Sequence, residues 1–195
     1  MPTLDLAVAG NTDDGRIESG YEEFSGSALV MGGTYSAFLR FVGVTVPPGS
    51  TITGAYVTFT AKETAEGEAY HLFHMNLAED AVAPETYAGF GALSLTTAYG
   101  DALFANWTAE TQYQSPSLVA PLQEVINQTG WASGNAVMVV TQPGYGAANR
   151  RAYDFIEVGD APTKIPTLHI EYTGPATGLS GLSGLSGLSG IVRGG

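Results

Sequence analysis

A chain of 195 residues with 44% hydrophobic residues is long enough to bury one substantial core. Seven Lys and Arg stand against nineteen Asp and Glu, and the resulting net charge of -12 repels phosphate backbones and anionic lipid surfaces, so we expect no nucleic-acid or membrane partner. The absence of cysteine removes disulfides and Cys-ligated zinc sites.

The first residues, MPTLDLAVAG, lack the basic segment and apolar core that direct secretion. No apolar run reaches the roughly 20 residues that span a bilayer. We therefore expect no signal peptide and no membrane span. Release by cell lysis, as for virion proteins, stays open.

Stretches of period-two alternation recur between turn signals along most of the chain, a pattern typical of an all-β sandwich. The predicted strands are 3–9, 28–32, 36–44, 51–62, 69–77, 136–142, 150–156 and 167–172. Eight strands suit two packed sheets.

The clearest of these strands is 51–62, which follows the turn residues VPPGS. Its alternation predicts two different faces. These are Ala55, Val57, Phe59 and Ala61 on one side and Tyr56, Thr58 and Thr60 on the other.

The stretch SPSLVAPLQEVINQTGW, residues 115–131, breaks the β pattern. Its apolar residues at helical spacing are Leu118, Leu122, Val125 and Ile126. Ser117 can cap the start, Pro121 lies in the first turns where its missing N–H costs least, and Gly130 can end the helix. We predict a helix of about three turns over one opening of the sandwich, with Trp131 as a core plug rather than a ligand platform.

Residues 178–190 read GLSGLSGLSGLSG. Glycine at every third position is what a triple helix of extended chains requires at its axis. The strip has no proline and is too short to nucleate a triple helix unaided, so the globular domains would have to hold three strips together. A flexible linker has no use for evenly spaced leucines, which would expose apolar surface.

We therefore interpret residues 174–195 as an assembly arm, collagen-like or docked on a partner, with a passive linker as the alternative. The residues assigned to assembly are Leu179, Leu182, Leu185, Leu188, Gly178, Gly181, Gly184 and Gly187.

Several longer segments resemble one family. They are FLRFVGVTVPPGSTITGAYVTFTA, SPSLVAPLQEVINQTGWASGNAVMVV, RRAYDF and PTLHIEYTG. They look like the jelly-roll, carbohydrate-binding-module-like domains of bacterial extracellular proteins and tailed-phage virion proteins, over about residues 5–173. Glycine-serine triplets after such a domain resemble the collagen-like strips of phage structural proteins. The resemblance implies a two-sheet jelly-roll sandwich over residues 1–173 and a mostly non-catalytic module, and it identifies no ligand.

The stretch NTDDGRIESGYEEF, residues 11–24, concentrates carboxylates that could bind Ca²⁺. An EF-hand loop beginning at Asn11 fails, because Arg16 stands where glycine is required. The resemblance implies a structural calcium near the start of such modules, with Asp13 and Asp14 matching the family's acidic pair. A solvated acidic loop is the alternative.

The histidines and serines do not form a recognisable metal site or catalytic site. On a strand, His71 and His74 face opposite sides of the sheet, so with His169 we interpret them as ordinary strand histidines rather than a metal site. The serine-glycine triplets lack the G-x-S-x-G nucleophile elbow and its strand-to-helix context, so they indicate no nucleophilic serine. The spacing of the Asp and Glu residues singles out no carboxylate pair for glycoside hydrolysis. We expect no enzymatic activity.

Carbohydrate binding needs apolar ring faces beside hydrogen-bonding groups, and the ten tyrosines supply such rings. The predicted exposed set is Tyr145 in QPGYGAANRR with Asn149 and Arg150, and also Tyr35 or Trp107. Packing in the core or at its rim is the alternative for these residues.

Together these features suit a non-enzymatic accessory protein of a bacteriophage virion, of the capsid-decoration or fibre type, assembled in the host cytoplasm. Its expected partners are other copies of itself, as a homotrimer, a major capsid or tail protein, and cell-surface polysaccharide. The alternative is a bacterial extracellular carbohydrate-binding module attached to a surface assembly.

Overall fold

The computed structural model describes residues 1–18, 21–23, 28–156 and 162–175, and the structural statements below concern those residues. The strands are β1 (Thr3–Ala7), β2 (Asp14–Glu18), β3 (Tyr21–Glu23), β4 (Leu29–Gly32), β5 (Ser36–Phe41), β6 (Thr51–Thr60), β7 (Ala69–Met75), β8 (Gly100–Phe104), β9 (Gln112–Gln114), β10 (Val137–Pro143), β11 (Asn149–Ala152) and β12 (Thr167–Thr173). The helices are α1 (Tyr87–Gly91) and α2 (Val119–Ile126), and a single 3-10 turn spans Pro162–Lys164.

Two antiparallel sheets form an all-β sandwich, as predicted. One sheet has the order β1-β12-β6-β9, and the other has the order β3-β2-β5-β10-β7-β8. With β2, β3 and the β4–β11 pair set aside, the remaining eight strands alternate between the two sheets along the chain, except that β7 and β8 both lie in the second sheet. This strand order is that of a jelly roll.

Each of the eight predicted segments contains a strand, but not all of them join the two sheets. β4 and β11 pair only with each other as a separate ribbon among the described strands, so the prediction that both belong to the main sheets is wrong. The two sheets instead contain four strands that the alternation did not predict, which are β2 and β3, within the acidic stretch 11–24, and β8 and β9. β8 and β9 lie at sheet edges, where a short strand paired on one side needs little apolar patterning.

The core lies between the sheets and is built from the inward faces of alternating strands. On β6, Ala55, Val57 and Phe59 are buried, which confirms the predicted apolar face, and Ala61 just beyond the strand is buried with them. The opposite sheet contributes chiefly Leu39, Phe41, Phe73, Met75, Val137 and Val139.

Helix α2 covers one opening of the sandwich with four buried residues, including Leu122 and Val125. It has eight residues and its C-cap is Asn127, so the predicted length of about three turns is wrong. After Ile126 the chain turns back on itself through short-range hydrogen bonds. Trp131 is buried beyond this turn and donates its indole N–H to the Val46 carbonyl at 3.0 Å, in agreement with the predicted core role.

The outer face of the six-stranded sheet is half covered. The long β7–β8 connection, here called the strap (residues 77–95), folds back over this face and closes at a bridge between Asn76 and Leu95. Beneath it lies a second apolar cluster that includes Phe38, Met138 and Val140. The other half of the same face, along β7 and β8, carries partly exposed side chains instead.

Candidate binding face

The predicted glycan-binding residues do not form one exposed set. Tyr145 is 61% exposed, whereas Arg150 is 0% and Trp107 is 1% exposed. The expectation that Arg150 and Trp107 present themselves to solvent is therefore wrong. Tyr35 and Asn149 are half-buried.

Arg150 is buried because its guanidinium binds backbone carbonyls from segments far apart in the sequence. It donates to Ala105 O at 2.7 Å, to Phe104 O at 3.1 Å and to Asn149 O at 2.8 Å, and also to Gly67 O. Burial lowers the pKa of this guanidinium. Arg150 thus clamps the loop before β7, the end of β8 and the start of β11 together.

Trp107 is part of an aromatic cluster in the core. Its ring stacks on Tyr113 at 4.7 Å between centroids with the planes 7° apart, and it meets Phe104 edge-on at 5.5 Å. These contacts bury the ring faces that a sugar would need, so packing accounts for Trp107.

Tyr35 and Asn149 lie together in a different place from Tyr145. They line a small pocket of about 190 Å³ with Arg16, Val30 and Arg151, beside the β4–β11 ribbon. The structure therefore divides the predicted set into a buried pair, a pocket pair and one exposed tyrosine.

The exposed tyrosine belongs to a built aromatic stack. Tyr145 stacks on Tyr70 of β7 with 4.6 Å between ring centroids and an angle of 15° between the planes. The Tyr70 ring lies close to Gly144, where a Cβ would come within 2.1 Å of Tyr70 Cδ1. Gly146 has a φ of +96°, a conformation that L side chains rarely adopt. Two glycines thus set the position of Tyr145.

Further side chains extend this stack along the outer face of β7 and β8. Tyr70 donates its hydroxyl to Asp101 Oδ2 at 2.7 Å, and this hydrogen bond is the main cause that raises the pKa of Tyr70 to about 12. At the far end, Tyr99 is 50% exposed and its ring lies 5.1 Å from that of His74. We call this surface the aromatic face; its members are Tyr70, Leu72, His74, Tyr99, Asp101, Leu103, Gln142 and Tyr145.

The members on β7 were not predicted as a site, although the alternation of AYHLFHMNL places Tyr70, Leu72 and His74 on one side of that strand. The missing information was which side is outward. Ala69, His71 and Phe73 alternate with these three residues and are buried. The sequence of β7 does not show which of its two sides is covered, because that depends on which part of the sheet the strap packs over.

The two carboxylates predicted to bind calcium have different partners. Asp13 Oδ1 accepts from the Arg40 guanidinium at 2.7 Å, and Asp14 Oδ2 accepts from the Phe155 N–H at 2.9 Å. Burial raises the pKa of Asp14 to about 7 against the lowering effect of the Phe155 hydrogen bond, and the Asp154 and Asp13 carboxylates add to the rise. Each acid is thus explained without a cation.

Within residues 1–18, 21–23, 28–156 and 162–175, no group of three or more His, Asp or Glu side chains is arranged to hold a metal ion. Part of the predicted acidic stretch, at residues 19, 20 and 24, lies outside the described residues. Calcium binding by Asp13 and Asp14 therefore stays a prediction.

The histidines occupy separate environments. His71 is fully buried and His74 faces outward, so the predicted opposite orientation is confirmed. Burial lowers the pKa of His71 to about 4, and the Arg150 guanidinium adds to this effect. His169 lies on the other sheet, where its Nδ1 is 2.7 Å from Asp5 Oδ1 in a hydrogen bond. This hydrogen bond is the main cause that raises the pKa of the imidazole.

Larger depressions of about 430 to 580 Å³ lie along the strap, but three of the four acidic groups that line them, all except Glu85, have internal partners. Asp80 accepts from the Ala136 N–H at 2.7 Å, and Glu79 accepts from the Gly130 N–H at 3.0 Å. These side chains hold the strap in place, which leaves the aromatic face as the better candidate for a ligand.

The eight assigned arm residues, in 178–188, lie outside the described part of the chain. Within the described part, no helix is long and apolar enough to cross a membrane.

No protein-family model matches this chain, and no curated protein matches it. Among solved structures, it is similar to a chain from "Structure of infectious bursal disease virus Gx strain", with 13% sequence identity and a TM-score of 0.24. The alignment covers 91% of this chain and 37% of that one, so this chain spans little more than a third of that protein's length. A TM-score this low supports neither a shared fold nor a shared function.

Proposed function

We propose that this chain is a non-enzymatic accessory structural protein of a bacteriophage virion, of the capsid-decoration or head- or tail-fibre type. In this proposal the sandwich faces outward, while the arm of residues 174–195 joins three copies and docks on the major capsid or tail protein. The observation that carries the proposal is the strict three-residue period of glycine and leucine in 178–190, directly after a jelly-roll sandwich.

The sandwich offers a firm attachment for such an arm. β12, the last strand before residue 174, is hydrogen-bonded to β1 on one side and to β6 on the other. A load applied to the arm would therefore reach a strand held within a sheet rather than a loose end.

Sedimentation tests the proposal directly. We expect the full chain to sediment as a stable trimer and a form truncated after Gly174 to dissociate, because the contacts between sandwiches that bring the strips together would lose the added burial of the leucines between chains. A full-length variant with Leu179, Leu182, Leu185 and Leu188 all changed to Ser is the matched control for length, and it should behave like the truncated form. Equal masses for all three proteins would contradict an assembly role.

The second candidate is a bacterial extracellular carbohydrate-binding module, and the observation that favours it is the exposed tyrosine stack on the outer sheet face. Glycan contact by outer loops is also part of the virion proposal. Neighbouring genes separate the two, since capsid, portal and tail genes favour the virion and glycoside hydrolase genes favour the module.

A further inference from the structure

We infer that the aromatic face binds a neutral polysaccharide, with the outer side of the Tyr145 ring stacked on one sugar ring and the Asp101 carboxylate accepting hydrogen bonds from sugar hydroxyls. The inference rests on the glycan-binding part of the proposed function and gives it a site. That site differs from the one predicted from the sequence, because it excludes the buried Arg150 and Trp107.

The first argument is the pre-set position of the Tyr145 ring. One side of the ring is covered by Tyr70, yet the residue remains 61% exposed, so its other side faces solvent. An aromatic ring held in water by two flanking glycines adds no apolar packing to the core. The C–H side of a pyranose ring is apolar and matches such a tyrosine surface.

The second argument is the polar group beside the stack. Asp101 is exposed, and the hydrogen bonds of the described residues engage only its Oδ2, through the Tyr70 hydroxyl at 2.7 Å. Oδ1 is thus left for a ligand hydroxyl. Gln142, partly exposed and opposite Leu72, adds an amide with both donors and an acceptor.

The third argument is the length of the aromatic face and the negative charge on and around it. From Tyr70 to His74 the strand rises about 13 Å, and Tyr99 places a second exposed ring at the far end, so the face suits a chain of sugars rather than one. Asp101 lies between the two rings on a protein of net charge -12. Anionic polymers are repelled there, which leaves neutral ones as the matching class.

Affinity electrophoresis in native gels tests this inference, with a β-glucan, a xylan or a galactomannan as neutral probes and alginate as the anionic comparison. We expect at least one neutral polysaccharide, and not alginate, to retard the full chain. Tyr145→Ala should weaken that retardation about tenfold, whereas Tyr145→Phe, which keeps the ring, should retain it. Tyr87→Ala, at a half-exposed tyrosine on α1, is the matched control and should bind like the wild type.

The outcomes separate the site from the function. If a neutral polysaccharide retards wild type and Tyr145→Ala equally, glycan binding survives and this site is wrong. If no neutral probe retards the wild type, both the site and the glycan part of the proposed function fall, while the assembly arm is judged by sedimentation. A change of sedimenting mass in Tyr145→Ala would assign the face to a second copy of the chain and overturn the inference. Thermal midpoints for each variant confirm that folding is intact.

Discussion

Arg150 illustrates how a charged residue in a polar sequence context becomes part of the core. The surrounding letters QPGYGAANRR indicate an exposed loop, and for Tyr145 that expectation is confirmed. Arg150, however, is surrounded by carbonyl oxygens from residues 67, 104 and 105, which are more than 40 positions away. Only the tertiary arrangement of these loops supplies its acceptors, so no local pattern could reveal its burial.

We predict that Arg150→Lys lowers the free energy of unfolding by about 2–4 kcal/mol, because one ammonium group cannot reach the carbonyls that the planar guanidinium binds. Arg151→Lys is the matched control. Its 3.5 Å ion pair with Glu63 is partly exposed, so the change should cost no more than about 0.5 kcal/mol. Urea denaturation of the two variants measures the difference. Similar losses in both would argue against the clamp.

The raised pKa of Asp14 predicts a specific dependence of stability on pH. Its pKa is raised from 3.8 to about 7 in the folded state, chiefly by burial, so across this window the folded protein retains a proton that the unfolded chain releases. Stability contributed by this group is therefore lost as the pH rises from about 4 to about 7.

Asp14→Asn keeps an acceptor for the Phe155 N–H without the buried charge. We expect a higher thermal midpoint at about pH 8 and a smaller decline between pH 4 and 7, with a gain of at most about 4 kcal/mol. Asp13→Asn should instead lower the midpoint, because Arg40 loses its ion partner. An Asp14→Asn protein that is less stable than wild type at about pH 8 would refute this account.

At the scale of elements, α2 links the two sheets through adjacent side chains. Gln123 accepts from the Ile52 N–H at 2.8 Å near the start of β6. Glu124 accepts from the Thr97 and Ala98 N–H groups, at 2.8 and 2.7 Å, just before β8. The helix therefore braces one strand in each layer besides burying its apolar stripe.

We predict that Leu122→Ala lowers the free energy of unfolding by about 2–5 kcal/mol, because it leaves a cavity in the core. Glu124→Ala should lower it by about 1–3 kcal/mol, because the Thr97 and Ala98 N–H groups lose their acceptor. Hydrogen exchange should distinguish them, since Glu124→Ala should speed exchange at Thr97 and Ala98 while the β10 amides stay protected. Uniformly faster exchange in that variant would contradict a local brace.

The elements that sequence patterns predicted best are those with neighbours on both sides. β6, β7 and β10 lie inside sheets; β6 and β7 alternate clearly, and β10 is an apolar run whose first five residues are buried, whereas β8 and the three-residue β9 are edge strands with little pattern. The stripe of α2 also predicted a helix, but not its end at Ile126, because the turn that follows is made by backbone hydrogen bonds. Apolar periodicity thus predicts burial more reliably than it predicts boundaries.

At the scale of the whole molecule, the all-β class follows from alternation and turn residues, but the distribution of strands between layers does not. β4 is buried throughout and β11 buries every second residue, as sheet strands do, yet they pair as a ribbon of their own. The same limit applies to the candidate site. Tyr145 was identified from its glycine-rich loop, while Tyr70 and Asp101 join it only through the pairing of three strands.

The pairing of β1 with β12 has a practical consequence for labelling. Thr3 lies opposite Glu171, and the Tyr172 N–H donates to the Pro2 carbonyl at 3.2 Å, so the polypeptide enters and leaves the four-stranded layer at the same corner. A dye coupled at residue 2 begins next to the root of the C-terminal segment, and energy transfer to a second dye at residue 195 would report the reach of that segment alone.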